Sequence, residues 1–188
     1  TVKFKDISFI SAVNPGELEI KYLKNNFGFN QLHLDDYTQK TQIPKIEIYK
    51  DYSLLVLDFP YFNPGNTQAG NPEQNGNSKP SILKGFSAPA IISSVPLPQF
   101  PKEEKKRRIA SSQVDFFVGK DYLVVLHDGL LSPINDIFVK CQGKLKSREE
   151  FMAEGPVFLA YRIIDVLVDS CFPIINELSS IIDRIDRE

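Results

Sequence analysis

Residues 114–127, VDFFVGKDYLVVLH, decide the class of fold. Two apolar runs flank a Gly-Lys-Asp turn, a pattern typical of a β-hairpin. An earlier stretch, IEIYKDYSLLVLDF at residues 46–59, repeats this arrangement around a Lys-Asp turn. It follows Pro44, which disfavours helix. The sequence therefore predicts two antiparallel strand pairs.

Helices are predicted on either side of these hairpins. In residues 14–29, NPGELEIKYLKNNFGF, Asn14 fits a helix cap and Gly28 fits a helix end. A short helical turn follows at LHLDDY, and Ser132-Pro133 opens another helix. The predicted buried face of the first helix consists of Leu18, Tyr22, Leu23 and Phe27. Strands and helices together favour an α/β fold.

The last predicted helix carries a long apolar seam. Its members alternate in steps of four and three, the spacing of heptad packing. They are Val157, Tyr161, Ile164, Val168, Cys171, Ile175, Leu178, Ile182 and Ile185. The first half has apolar residues on other sides too, whereas the second half narrows to one stripe, and Pro173 should bend the helix between them. We therefore expect a helix that leaves the domain, packs against a helical partner and continues past residue 188.

Composition excludes several classes of protein. The net charge of −2 gives no general attraction to nucleic acid or to an anionic membrane. Cys141 and Cys171 are too few for a disulfide framework and are expected to be reduced and mostly buried. The chain begins without a signal-peptide pattern, and its most apolar window carries three charged residues, so we expect a soluble chain.

The predicted domain organisation is one domain, which contains an insertion, followed by the start of a helix. Residues 1–155 form an α/β domain, and residues 156–188 begin the exiting helix. Within the first part, residues 63–113 are rich in Asn, Gly and Pro and read as a flexible insertion between the hairpins.

In this order the pieces resemble the amino-terminal cytoplasmic domain of the CorA family of magnesium channels. The family has an aromatic-Gly pair, a turn that ends in two acids, and Pro-Lys before a strand, which here is FGFNQLHLDDYTQKTQIPKIEIYKDYSLLVL. The second hairpin matches a strand pair that ends in a histidine. FLAYRIIDVLVDSCFPIINELSSIIDRID matches the start of the family's stalk helix. The resemblance covers about residues 18–62 and 114–186.

The chain departs from the family pattern at several points. Asn30-Gln31 replaces the usual His-Pro, the common early tryptophan is absent, and Asp35 stands where Glu is usual. The family's transmembrane helices and Gly-Met-Asn filter motif are not present in these 188 residues, so this chain is not expected to conduct ions by itself. The resemblance implies an α/β/α sandwich with a mixed sheet, whose strand order is taken from the family, ending in a long exiting stalk helix.

The resemblance also implies a metal site. In the family, an acidic pair, an aspartate of the first stalk-helix turns and an acid of a neighbouring subunit surround a divalent ion. These positions correspond here to Asp35, Asp36 and Asp165, and the neighbour's acid would lie beyond residue 188. Magnesium takes oxygen ligands and is often held by one or two carboxylates and water. The implied protein is a homopentameric cell-membrane channel whose cytoplasmic domain senses weakly bound magnesium.

Several other interpretations remain open from the residues alone. Asp35 and Asp36 suit a cap or a solvent-facing turn, and Asp165 suits a surface pair with Arg162. His33 and His127 are expected to be polar surface or strand-end residues rather than ligands. A zinc-transporting relative and a soluble oligomeric binding module share the same features. An enzyme is not expected, because the sequence has no nucleophile elbow, phosphate-binding glycine loop or paired metal-binding histidines.

Overall fold

The computed structural model of the protein describes residues 1–39, 43–63 and 108–186. Most of the predicted insertion, residues 64–107, lies outside the described residues. The elements are β1 (Val2–Phe4), β2 (Ile7–Val13), α1 (Glu17–Phe27), α2 (Gln31–Gln39), β3 (Lys45–Ile48), β4 (Tyr52–Asn63), β5 (Arg108–Gly119), β6 (Tyr122–His127), α3 (Ser132–Gly143), α4 (Leu145–Met152), α5 (Pro156–Asp169) and α6 (Phe172–Ile185). β5 thus begins inside the range that the sequence assigned to the insertion.

The described strands form one mixed sheet in the order β1-β2-β6-β5-β4-β3. Both predicted hairpins are present: β3 pairs with β4 and β5 pairs with β6, in each case antiparallel. β2 runs parallel to β6, with Phe9 opposite Leu123. β2 therefore lies inside the sheet, next to the second hairpin, and β1 forms one edge.

Alternating side chains of the central strands supply two separate cores. Phe117 and Val124 point to the side covered by α1 and α2, which we call the α2 face. Phe116 and Val125 point to the side covered by α3, α4 and α5, which we call the α5 face. All four side chains are fully buried. A central strand buried on both faces requires helices on both sides, and the predicted α/β/α sandwich with a mixed sheet is confirmed.

The C-terminal helix is formed by two consecutive segments. The carbonyl of Leu167 accepts a hydrogen bond from the Ser170 hydroxyl, and α6 begins again at Phe172, followed by Pro173. Leu159, Ile163 and Leu167 of α5 are fully buried, whereas α6 leaves large apolar side chains exposed. Those on α6 are Phe172, Ile175, Leu178, Ile181, Ile182 and Ile185. The predicted long exiting helix is therefore present, and it emerges from the domain with an apolar stripe.

The buried face of α1 differs from the predicted one. Ile20 and Leu23 are buried, whereas Leu18 is 81% exposed and Tyr22 58%. Of the predicted face, Leu23 is therefore confirmed and Phe27 packs against the core, whereas Leu18 and Tyr22 are wrong. The helix also starts later than predicted: Gly16 rather than Asn14 is the cap residue, and its N–H donates to the Glu19 carboxylate at 3.0 Å.

None of the described helices is both long enough and apolar enough to cross a lipid bilayer.

Candidate metal site and its surroundings

Local sequence fixes where α2 starts. Gly28 ends α1 with a left-handed backbone (φ 67°), and Phe29 then turns inward to stack on Phe117, with ring centroids 4.3 Å apart. The Asn30 side-chain oxygen accepts a hydrogen bond from the Leu32 N–H at 3.0 Å, as a helix-starting residue does. The buried residues Leu34 and Tyr37 anchor α2 on the sheet. This leaves the acidic pair half-buried on the flank of the helix.

Asp35 and Asp36 point to different partners. Asp35 accepts a hydrogen bond from the Gln31 amide at 2.7 Å and lines a cavity of about 640 Å³ between α1 and α2. Asp36 Oδ2 lies 4.0 Å from Lys45 Nζ of β3. Lys45 Nζ is also 3.3 Å from Glu47 Oε1. Each acid is therefore already engaged by groups of its own chain.

Asp165 is half-buried on α5, on the other side of the sheet from α2. The neighbouring Arg162 does not pair with it in the way that the surface-pair interpretation expected. Its guanidinium lies 3.9 Å from Glu150 and 5.5 Å from the ring centre of Phe151. Within one chain, the structure thus keeps Asp35 and Asp36 together and separates both from Asp165.

A metal site is not complete within the part of the chain that the structure describes. No group of three or more His, Cys, Asp or Glu residues there is arranged to hold an ion. The donor chemistry of the acidic pair nevertheless suits a hard cation that keeps part of its water shell. Such a site would need ligands from elsewhere.

His33, a buried histidine of α2, joins the acidic region to β4. His33 Nδ1 is 3.1 Å from the Tyr52 hydroxyl, and His33 Nε2 is 3.0 Å from the Tyr49 hydroxyl. The Tyr49 hydroxyl donates to Glu47 at 2.6 Å, so its oxygen is left to accept from His33 Nε2–H. Tyr52 then donates to Nδ1 and accepts from the Asn30 N–H at 3.1 Å. With a neutral His33 that carries its proton on Nε2, every hydroxyl and ring hydrogen of this network has an acceptor.

The charges in this network follow from these contacts. Burial lowers the pKa of His33, more than Glu47 raises it. The hydrogen bond from Tyr49 is the main cause that lowers the pKa of Glu47, and it raises the pKa of Tyr49 to about 12. Glu47 is therefore a fixed anion, held by one neutral donor and one ammonium group.

Both histidines are buried rather than on the surface. His127 ends β6 as predicted, with Nε2 2.9 Å from the Ser11 hydroxyl and Nδ1 accepting from the Gly129 N–H at 3.2 Å. Since His33 is also engaged at both ring nitrogens, each imidazole has a structural role in the described chain.

Asp115 is a notable group that the sequence analysis missed. It is fully buried on β5, and its Oδ2 has no hydrogen-bond partner among the described residues. Burial raises the pKa of Asp115 to about 7, although a hydrogen bond from Gln113 and the charge of Lys45 act against this. The strand pattern VDFFV held the signal, because Asp115 falls on the same side as the buried Phe117.

Comparisons with known proteins find one related sequence and several similar folds. No family model matches the chain. A curated relative, the putative metal ion transporter YfjQ of Bacillus subtilis (strain 168), is 21% identical over 179 residues, which is 95% of this chain. The chain spans 41% of that protein's length.

Three solved structures have a fold similar to that of this chain. The soluble domain of CorA from Methanocaldococcus jannaschii matches the whole chain and 60% of its own, with a TM-score of 0.58 and 16% identity. The complete CorA magnesium transporter of that organism matches 95% of this chain and 42% of its own (TM-score 0.55, 15% identity). The full-length CmaX protein matches 95% and 41% (TM-score 0.55, 12% identity). The chain therefore has the fold of the CorA soluble domain, and its predicted resemblance to the amino-terminal domain of the CorA family is confirmed.

Proposed function

We propose that this chain is the cytoplasmic regulatory domain of a CorA-like magnesium channel of the cell membrane. It binds divalent ions between the subunits of a homopentamer and controls the pore through that binding. In this role it has no catalytic activity. The named relatives, a metal ion transporter and a magnesium transporter, support the class of the whole protein.

The observation that carries the proposal is the position of the acids. Asp36 lies on α2 and Asp165 on α5, on opposite faces of the sheet. In a closed ring, each subunit presents one surface to the preceding neighbour and a different surface to the next. Such a contact allows Asp35 and Asp36 of one subunit to approach Asp165 of the neighbouring subunit. The resemblance groups Asp165 with the acidic pair and takes a further acid from the neighbour. Because the fold separates Asp165 from the pair within one chain, we instead place it opposite the acidic pair of the neighbouring subunit.

The energetics suit a sensor. Two carboxylates about 5 Å apart repel by about 3 kcal/mol at an effective dielectric constant near 20. A divalent ion between them replaces this repulsion by attraction, so the interface closes when the ion binds. Millimolar affinity corresponds to about 4 kcal/mol per site, which lets the occupancy change with the free magnesium concentration of a cell.

The donor set favours magnesium over zinc. Zinc prefers imidazole and thiolate ligands, whereas magnesium prefers oxygen. The two histidines are committed to internal hydrogen bonds, and Cys141 is buried in the core of the α5 face. The half-exposed Cys171 thiol donates to the Leu167 carbonyl at 3.3 Å, so the remaining half-exposed candidates are carboxylates.

The test is metal-dependent stability of the assembled protein. Thermal unfolding of the oligomer should shift upward with millimolar Mg²⁺, and Asp36→Ala and Asp165→Ala should each reduce that shift. Asp183→Ala, on the exposed part of α6, is the matched control and should leave it unchanged.

Three results would contradict the proposal. They are a full Mg²⁺ shift in both variants, a shift produced by micromolar Zn²⁺ alone, and a reading frame that lacks two apolar segments with Gly-Met-Asn. The last result would instead favour a soluble oligomeric module.

A further inference from the structure

Lys45 is placed where a cation would bind. Its ammonium group lies between the carboxylates of Asp36, at 4.0 Å, and Glu47, at 3.3 Å. Its side chain is 31% exposed, so the group sits at the edge of the acidic region with a path to solvent. The position of one positive charge between two acids is the arrangement that a bound metal ion would also adopt.

The two contacts of Lys45 are unequal. Glu47 is fixed by the 2.6 Å hydrogen bond from Tyr49, which is itself paired with the buried His33. Asp36 is the more distant partner, and its side chain is 42% exposed. The ammonium group can therefore move toward Glu47 and solvent without breaking its shorter ion pair, which would release Asp36.

The charges around Lys45 are also unbalanced. Asp115 lies on the α2 face of β5, is fully buried and has an Oδ2 atom without a hydrogen-bond partner among the described residues. The charged groups that act on it are Lys45, Asp58 and Asp36. Of these only Lys45 is positive, so this one side chain balances a region that holds more acid than it neutralises.

We propose that Lys45 is a tethered competitor for the divalent ion: its ammonium group occupies the cation position beside Asp36 and must withdraw before a metal ion binds there. This rests on the proposed function only in taking Asp36 as a metal ligand. A fixed ammonium group and a divalent ion a few ångströms apart repel each other, so holding both at the same carboxylate weakens the binding of the ion. Lys45 thereby keeps the affinity low and sets the metal concentration at which the site fills.

The test removes the competing charge. Lys45→Met keeps the length and the apolar stem of the side chain but loses the ammonium group. Mn²⁺ binding to the 188-residue chain, followed by loss of the free Mn²⁺ electron paramagnetic resonance signal, should tighten roughly tenfold or more in this variant. Lys45→Arg is the matched control, because it retains the positive charge and should bind as weakly as the wild type. Circular dichroism checks that both variants are folded.

The double variant Lys45→Met/Asp36→Asn tests whether the tighter Mn²⁺ binding arises beside Asp36. If the tighter Mn²⁺ binding disappears in the double variant, the ion is beside Asp36 and the inference holds. If Lys45→Met binds no more tightly than wild type, or if the gain survives loss of Asp36, the inference is overturned. These Mn²⁺ measurements do not depend on Asp165 or on the oligomer. Competition by Lys45 can therefore be confirmed even if the proposed metal-sensing function fails. The metal-sensing function can likewise hold even if Lys45 does not compete.

Discussion

Asp115 shows how one side chain can set the response of this protein to pH. A buried carboxyl group is costly to ionise, and among the described residues Asp115 has one hydrogen bond, from Gln113 at 2.7 Å. Its environment contains Asp36 and Tyr37 of α2, Lys45 of β3 and Asp58 of β4. The pKa of Asp115, about 7 in the folded chain, therefore exceeds its ordinary value of 3.8.

The change Asp115→Asn should stabilise the protein above neutral pH. As pH rises from about 4, the unfolded chain loses its proton at this residue first, so the stability that the residue provides is full below pH 4 and is lost by about pH 7. The variant lacks this loss, and its free energy of unfolding at pH 8 should exceed that of the wild type by on the order of 2 kcal/mol. Urea unfolding at pH 4 and pH 8 measures the difference.

The exposed Asp183 provides the comparison for that experiment. Asp183→Asn should leave the pH dependence of stability as it is in the wild type. Equal pH dependence in the wild type and in Asp115→Asn would show that Asp115 is not the group responsible.

The elements follow from local sequence where a turn or a helix end dominates. The hairpins were predicted because their turn residues separate apolar runs, and Gly28 was predicted as a helix end because glycine accepts a left-handed backbone. The buried face of α1 was predicted only in part, because Leu18 and Tyr22 have a helical spacing, as do the buried Ile20 and Leu23. Packing on the sheet, rather than local sequence, selects between the two sets. The burial of Asp115 could be read from VDFFV, but the groups beside it depend on strand pairing and on the packing of α2, which local sequence does not fix.

Two glycines offer a clean test of the helix-end argument. Gly28 and Gly143 both have open space where a Cβ atom would be placed, but only Gly28 has a positive φ. Gly28→Ala should therefore lower the free energy of unfolding by about 1 kcal/mol through backbone strain alone. Gly143→Ala, at the end of α3, should be neutral or slightly stabilising. Chemical denaturation measures both, and a similar loss for the two variants would show that φ is not the cause.

At the scale of the whole molecule, the residues predict a sheet between two helical layers, but they do not predict the order of the strands in that sheet. Strands buried on both faces require two helical layers, which the sequence shows as apolar runs. The inclusion of the first residues as β1 and β2, with a parallel ladder to β6, depends on pairing between distant segments. The same limit applies to the site, because Asp35 and Asp36 are adjacent in sequence while the location of Asp165 depends on how the layers stack.

The apolar stripe of α6 predicts self-association. Ile175 and Ile182 are 52% and 58% exposed, two turns apart on one side of the helix. The double variant Ile175→Ser/Ile182→Ser should shift the sedimentation equilibrium of the chain toward monomer, with little change in the melting temperature of the domain, because neither side chain is in its core. Val139→Ser, which changes an exposed apolar residue of α3, should not affect association. Loss of association in both variants would indicate a different contact surface.

The parallel ladder between β2 and β6 has a consequence for biosynthesis. Ser8 is paired with Tyr122 and Val13 with His127, so one edge of β2 is completed only by residues that a ribosome adds much later. An emerging polypeptide therefore carries an apolar ribbon with open amide groups until the second hairpin has left the exit tunnel, and such ribbons tend to adhere to one another. Nascent chains of this protein that stop before His127 should consequently depend on chaperones, whereas slightly longer ones can close the sheet themselves.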